Sequence, residues 1–197
     1  TATGLVLEDA NVLLVDGIIE AVGTDPIDAP NVVTLDGAGK YVTPGIVDTH
    51  SHLGVYPSPG ARAHGDGNEA TKPVTAGVWA EHSFWPQDPG IYRALAGGVT
   101  AMQILPGSAN LVGGRGVVLQ LVPGRGSRAM RFPGAPETLK MACGENPKRV
   151  YGERGGPSTR MGNVKGQRAA YIGATKYLET WEDYGKELAD WEARVAA

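Results

Sequence analysis

The stretch Thr43-Pro44-Gly45-Ile46-Val47-Asp48-Thr49-His50-Ser51-His52-Leu53-Gly54 decides how this chain is read. It opens on a Pro-Gly turn signal, passes through apolar β-branched residues and ends on polar, reactive ones. A buried parallel strand has this texture when its C-terminal end opens on a site. Residues i and i+2 of a strand point to the same side, so the imidazoles of His50 and His52 converge. Neutral imidazole is the commonest protein metal ligand, and two on one rigid element make half a site. The plainer alternative is two histidines with unrelated hydrogen bonds. Asp48 before the pair and Gly54 after it favour the metal.

Upstream, residues 4–42 read as short strands and turns. Val12 to Val15 and Ile18 to Val22 flank Asp16-Gly17, a strong hairpin signal, and Asn31 to Leu35 is a further β-branched run closed by Asp36-Gly37. Downstream, residues 54–92 are rich in Gly and Pro, with a short helical chance around Val74 to Phe84. Apolar strands follow at Val99 to Leu105, Val117 to Val122 and Thr138 to Cys143, a spacing that suits β/α units. From about Arg168, apolar residues recur at Ala170, Ala174, Tyr177, Trp181, Tyr184, Leu188, Trp191 and Val195, which predicts one face of a helix about 25 residues long. The other face is mixed in charge and leans acidic, which favours packing against protein over a membrane surface.

Several of these segments resemble one family. Residues 43–54 look like the first barrel strand of the amidohydrolase superfamily, in which the His-x-His pair binds the buried metal. Asp16-Gly17-Ile18-Ile19-Glu20-Ala21-Val22-Gly23 is similar to the hairpin of its accompanying β-sandwich, and Ala96-Gly97-Gly98-Val99-Thr100 to its second strand. Pro106-Gly107-Ser108-Ala109-Asn110 and Gly144-Glu145-Asn146-Pro147-Lys148-Arg149 extend the likeness towards imidazolonepropionase-like, prolidase-like members. The resemblance covers about residues 4–150.

It implies an α/β fold: the N-terminal portion of a (β/α)8 TIM barrel preceded by a small β-sandwich module. The expected organisation is a β module at 1–42, about four β/α units at 43–165 and a long amphipathic helix at 166–197. The implied activity is metal-dependent hydrolysis of a C–N bond in a small amide, cyclic amide or peptide-like substrate. The implied cofactor is one or two divalent ions, zinc first, with His50 and His52 as ligands. A metal polarises a carbonyl and activates water. A second ion needs a bridging anion, which relatives supply as a carboxylated lysine or a glutamate. Lys140 alternates inward on an apolar strand, where a bare ammonium is costly. Glu145 lies just past that strand's end. Either is a candidate for the bridging and catalytic role. The alternative reading is a non-catalytic structural or binding subunit built on a degenerate half-barrel.

Composition sets the bounds. The 197 residues carry a formal charge of −3 and are 42% hydrophobic, enough for an ordinary core. Gly 29 and Pro 14 together are about 22% of the chain, against roughly 12% in typical proteins; without a triplet period they mark turns and loops. A single cysteine, Cys143, excludes an intrachain disulfide framework. Pro89 to Pro136 holds no acidic residue but five arginines, Arg93, Arg115, Arg125, Arg128 and Arg131. That stretch suits a carboxylate or phosphate, an interface, or most commonly a solvated face. Interleaved aromatics are lacking, so nucleic acid is not an expected partner; nor is a membrane. The glycines of 107–116 lack phosphate-loop spacing. His64 and His82 fit loop or capping roles better than ligation, although His82, near Trp85, suits a pocket wall. Thr1 is better read as an arbitrary boundary than as an N-terminal nucleophile. With no secretory signal in residues 1–20, a cytoplasmic location is expected, a periplasmic or secreted one staying open.

The chain has no histidine after Glu145. The superfamily's remaining ligands, histidines on strands five and six and an aspartate on strand eight, therefore have no counterpart, and a barrel alone needs roughly 250 residues. The expectation is a missing C-terminal half, supplied by a second polypeptide or lost by truncation, with a higher oligomer possible.

Overall fold

The computed structural model describes residues 4–122 and 126–196. Thr1 and Arg125 lie outside the described residues. The chain divides into two compact units, Thr1–Gly45 and Ile46–Ala197.

The first unit is built on a hairpin. Strand β1 (Asn11–Val15) pairs antiparallel with β2 (Ile18–Gly23), with Val15 opposite Ile18 and a bulge between Leu13 and Leu14. Asp16 and Gly17 both have positive φ, 50° and 81°, as the tight two-residue turn of a right-twisted hairpin requires. The expected strand at Asn31 to Leu35 does not form: the segment is irregular, and Val33 and Leu35 are almost fully exposed. A β-branched run becomes a strand only when a partner takes its hydrogen bonds, and among the described residues none is there. Where the sequence predicted a β-sandwich, this unit shows one hairpin and turns.

The second unit carries the core. Strand β3 (Ile46–Ser51) runs parallel to β4 (Val99–Ile104), and β6 (Val117–Gln120) adds antiparallel to the far side of β4. A second pair joins β5 (Val112–Arg115) to β7 (Leu139–Met141), also antiparallel. The short helices are α1 (Ala80–Ser83), α2 (Pro89–Ala96), α3 (Ser127–Met130) and α4 (Glu145–Tyr151), and the chain ends in α5 (Arg160–Ala196). The strands predicted near 117–122 and 138–143 therefore exist, but they run antiparallel instead of continuing a parallel series. A parallel return needs a crossover of a dozen or more residues, usually a helix. Among the named strands only β3 and β4 pair in parallel, the chain between them running through α2; between β4 and β6 it spends its residues on β5.

Val55, Phe84, Ile91, Met102, Ile104, Leu119 and Met130 form the core under this sheet. Helix α2 is fixed to it by a buried carboxylate. Asp88 accepts hydrogen bonds from the backbone N–H groups of Gly90 at 2.8 Å, Gly54 at 2.8 Å and Ser58 at 3.0 Å. It caps the helix, whose first position is Pro89, and ties that cap to the loop leaving β3. Gly54 has φ +77° and its Cα faces the Phe84 ring, so no side chain fits there.

Helix α5 has 37 residues, starting eight before the predicted point. Its first turns are docked. Asn163 donates to the carbonyls of Cys143 at 2.9 Å and Gly144 at 2.8 Å, Gln167 to Ala142 at 3.1 Å, and Gly166 lets Leu111 lie against the helix. Beyond Ala170 every described side chain is exposed. Among the described residues no helix is long and apolar enough to cross a membrane.

Candidate metal centre

The C-terminal end of β3 meets the end of β4 and, through a side chain, the middle of β7. Leu105 N–H donates to the Ser51 carbonyl at 2.9 Å, which sets the end of β4 beside that of β3. The Leu105 carbonyl in turn lies 2.8 Å from His52 Nδ1. A carbonyl only accepts, so Nδ1 carries the proton and His52 presents the lone pair of Nε2. This is the second interaction by which a protein orients an imidazole for a metal.

His50 stands beside it, the two rings edge to face at 5.2 Å. Its backbone N–H donates to Asp48 Oδ1 at 3.0 Å. Its Nε2 lies 3.0 Å from Lys140 Nζ, which arrives from the middle of β7. Lys140 is buried between exposed Leu139 and half-buried Met141, the alternation a strand imposes. Burial lowers its pKa, favouring the neutral amine. The Lys140 charge, then burial, then His52 hold the His50 imidazole below its ordinary value, against a weaker pull from Asp48. At neutral pH this leaves uncharged imidazole, the form that binds metals.

The structure thus brings His50, His52 and Lys140 together. Glu145 is elsewhere in chemical terms: it opens α4, exposed, with its carboxylate on Lys148 Nζ at 2.8 Å. That bond and that charge hold it below the usual carboxylate range. Among the described residues no group of three or more His, Cys, Asp or Glu side chains is placed to hold a metal. The donor set fits half a centre, two imidazoles with a buried amine against one of them.

The other predicted residues have occupations of their own. His64 stacks on Trp85 at 4.6 Å and His82 on Trp79 at 5.3 Å. His82 also lines a cleft of about 430 Å³ with Asp66, Asn68, Glu69 and Trp79. Arg115 pairs with Glu137 and lies 4.0 Å over Trp79, and Arg131 grips the buried Glu81 through two nitrogens. These two arginines are already neutralised by partners. Sequence reasoning missed the Leu105 carbonyl, which no side-chain pattern announces, and a network beyond the histidines. Tyr56, 5.8 Å from the His52 ring, donates to Asn68 at 2.7 Å, and Asn68 to the fully buried Asn110 at 3.3 Å. Asn110 also donates to the carbonyls of Glu69 at 2.8 Å and Lys72 at 3.0 Å, pinning that loop.

No protein-family model matches the chain. Individual relatives do. The amidohydrolase tasK of Hapsidospora irregularis is 38% identical over 78% of this chain. The solved structure of an amidohydrolase from Thermotoga maritima MSB8 superposes with a TM-score of 0.79 over 87% of the chain, at 46% identity. The chain belongs to the amidohydrolase superfamily. It corresponds to the N-terminal portion of such proteins, spanning 17% of the length of tasK and 44% of the Thermotoga chain. A shorter match, 40% identical over 24% of the chain, reaches the imidazolonepropionase of Brevibacillus brevis. As an amidohydrolase-superfamily chain it is mixed α/β with small sheets, and its paired histidines close the first strand of the sheet that carries the core.

Proposed function

We propose that this chain supplies half of a metal-dependent site that hydrolyses a C–N bond in an amide, cyclic amide or peptide-like small molecule. The observation that carries the reading is the fixed tautomer of His52: Nδ1 is engaged by the Leu105 carbonyl, leaving Nε2 to ligate beside His50. Relatives named dihydropyrimidinase, from Rattus norvegicus, and L-hydantoinase, from Paenarthrobacter aurescens, support the reaction class. A divalent ion, zinc first, one or two in number, would supply Lewis-acid polarisation of the scissile carbonyl and a lower pKa for attacking water. His50 and His52 would hold it. Lys140 places a buried amine with a lowered pKa against His50; carboxylation by CO2, with loss of a proton, turns that amine into the bridging anion a second ion needs. Glu145 is the weaker candidate for that place, because Lys148 already engages it.

The complementary half completes the site, as a second polypeptide or as the rest of a longer chain. Among the described residues strand β3 has a neighbour on one side only, with Ile46 and Val47 each 55% exposed. An open parallel edge of this kind calls for a further strand, as in a barrel. The face bearing Val47, Thr49, Ala101, Gln103 and Val118 forms an apolar hollow of about 360 Å³. The test is metal content and hydrolysis of lactams, dipeptides and N-acyl amino acids by the complete assembly, with His50→Ala and His52→Ala variants. Loss of both metal and activity with assembly intact is expected. The lack of a three-residue ligand group among the described residues favours a second reading, a non-catalytic subunit. Metal-free, inactive but stable assembly of the unmutated protein would establish that reading instead.

A further inference from the structure

The proton of the Tyr56 hydroxyl is fixed by a chain of hydrogen bonds that ends on main-chain carbonyls. Asn110 is buried, and one atom of its side-chain amide faces the carbonyls of Glu69 at 2.8 Å and Lys72 at 3.0 Å. Carbonyls only accept, so that atom is Nδ2 and the other is Oδ1. The amide atom of Asn68 that lies 3.3 Å from Asn110 Oδ1 is then Nδ2, the donor. Asn68 Oδ1 is left for Tyr56, 2.7 Å away, and an amide oxygen accepts a proton but has none to give. Tyr56 therefore donates to Asn68 and has only lone pairs for anything else. Turning its O–H elsewhere strands Asn68 Oδ1, for which the described residues show no second donor.

The place of this acceptor is held as firmly as its proton. Tyr56 N–H donates to the His52 carbonyl at 2.9 Å, closing a turn that sets the phenol ring edge to face on the His52 imidazole, 5.8 Å between centres. A Cβ at Gly67 would collide with the Tyr56 ring and one at Gly107 with its hydroxyl, so two bare backbone positions form the slot. Gly107 N–H donates to the Gly67 carbonyl at 2.7 Å, which joins the two. Tyr56 is still 40% exposed, and Asn68 and Gly67 line the 430 Å³ cleft next to it. We propose that Tyr56 Oη accepts the N–H of the substrate's amide group, and so selects secondary amides and unsubstituted lactams against N-substituted amides such as an X–Pro bond. The inference rests on the reading of this site as one for C–N hydrolysis, and it names the class of amide taken. A fixed donor beside the histidines would read the carbonyl, which every amide has. A fixed acceptor reads the N–H, which only some have. A site built to hydrogen-bond an N–H rejects the analogue lacking it, because its own acceptor is left unpaired. Water reaches the half-exposed Tyr56 and offsets part of that loss, so the expected discrimination is about tenfold, or about 1.4 kcal/mol.

The test compares binding of γ-butyrolactam and its N-methyl derivative to the complete assembly, by NMR titration with isotope-labelled tyrosine. The Tyr56 resonance is the one missing in Tyr56→Phe. The N–H lactam is expected to shift that resonance and to bind about tenfold more tightly than the N-methyl compound. Tyr56→Phe, which keeps the ring on His52, is expected to bring the two to equal affinity by weakening the N–H lactam alone. Asn68→Ala, with Tyr56 intact, is expected to erase the preference as well, because the freed hydroxyl then donates to the carbonyl both lactams share. Circular dichroism checks that each variant folds, and Tyr56→Phe decides the matter if Asn68→Ala does not. Equal affinities in the unmutated protein overturn the proposal; so does a preference that survives Tyr56→Phe, or a failure of both lactams to bind. A preference for the N–H lactam in an assembly that hydrolyses nothing leaves the acceptor standing and overturns the hydrolytic reading instead.

Discussion

Asp88 is where a single substitution should do the most measurable damage without touching the histidines. Its carboxylate is fully buried and accepts three backbone N–H groups, from Gly54 on Oδ2 and from Ser58 and Gly90 on Oδ1. Hydrogen bonds to a charged group contribute about 1.5–3 kcal/mol each, and a donor stranded in the interior costs about 1–3 kcal/mol. Asp88→Ala strands three. Taking the lower figure for each, and allowing water into the space left, the expected loss is about 4 kcal/mol, a large share of a typical 5–15 kcal/mol. Asp88→Asn is more selective. Its oxygen still serves Ser58 and Gly90, while its NH2 group meets the Gly54 N–H as donor against donor, so the expected loss is about 2 kcal/mol. Urea unfolding of the complete chain, followed by far-ultraviolet circular dichroism, reads both values, with hydrogen exchange at Gly54 as the local probe. A loss below about 1 kcal/mol in Asp88→Ala, or equal losses in the two variants, would refute this account of how the loop after β3 is held.

Gly54→Ala should cost about 3 kcal/mol in the same assay, because it combines a left-handed backbone with a methyl group driven into the Phe84 ring. Tyr151→Phe should change stability by no more than about 0.5 kcal/mol, or raise it, since its buried hydroxyl has no partner among the described residues. Burial raises the pKa of Tyr151 and of Tyr56. For a group whose folded pKa is raised, the stabilisation is whole below the unfolded pKa, about 10 for tyrosine, and is lost as pH climbs past it. The urea midpoint should therefore hold from pH 8 to 9 and fall above pH 10, less steeply in Tyr151→Phe; a midpoint that rises there contradicts the assignment. Lys140→Met should leave folding unharmed or slightly improved, because a buried amine is exchanged for an apolar chain of similar length; a loss above about 2 kcal/mol would show that the contact with His50 stabilises the fold.

What the sequence disclosed was local or strictly periodic. Asp16-Gly17 announced its hairpin because only certain residues tolerate positive φ in both turn positions. His50 and His52 were readable because the strand period is short and they sit at a polar end. The apolar face of α5 was readable because its period repeats from Ala170 to Val195. The pairing of β5 with β7 was hidden: Val112-Gly113-Gly114-Arg115 has poor strand propensity, and it is a strand because β7 offers it partners. The antiparallel return of β6 was hidden for the same reason, since neighbours in a sheet are chosen by tertiary structure. The helix that Glu145 opens was hidden as well, since Glu145 stood out only as a candidate bridging acid past a strand end, though Glu145-Asn146-Pro147 has the proline early in the first turn that suits a helix start. Asp88-Pro89 carried the same kind of signal and fixes the loop beside the histidines.

The acceptor for His52 is a main-chain oxygen. No replacement of the Leu105 side chain removes it, so the proton arrangement of His52 is insulated from point mutation at that position. It depends instead on alignment, because the Leu105 carbonyl reaches His52 only while β4 keeps its phase against β3. Drift by substitution along residues 99–105 is therefore tolerated by this imidazole wherever packing survives. One inserted or deleted residue there is not, because it carries the carbonyl away and reverses which face each following side chain presents.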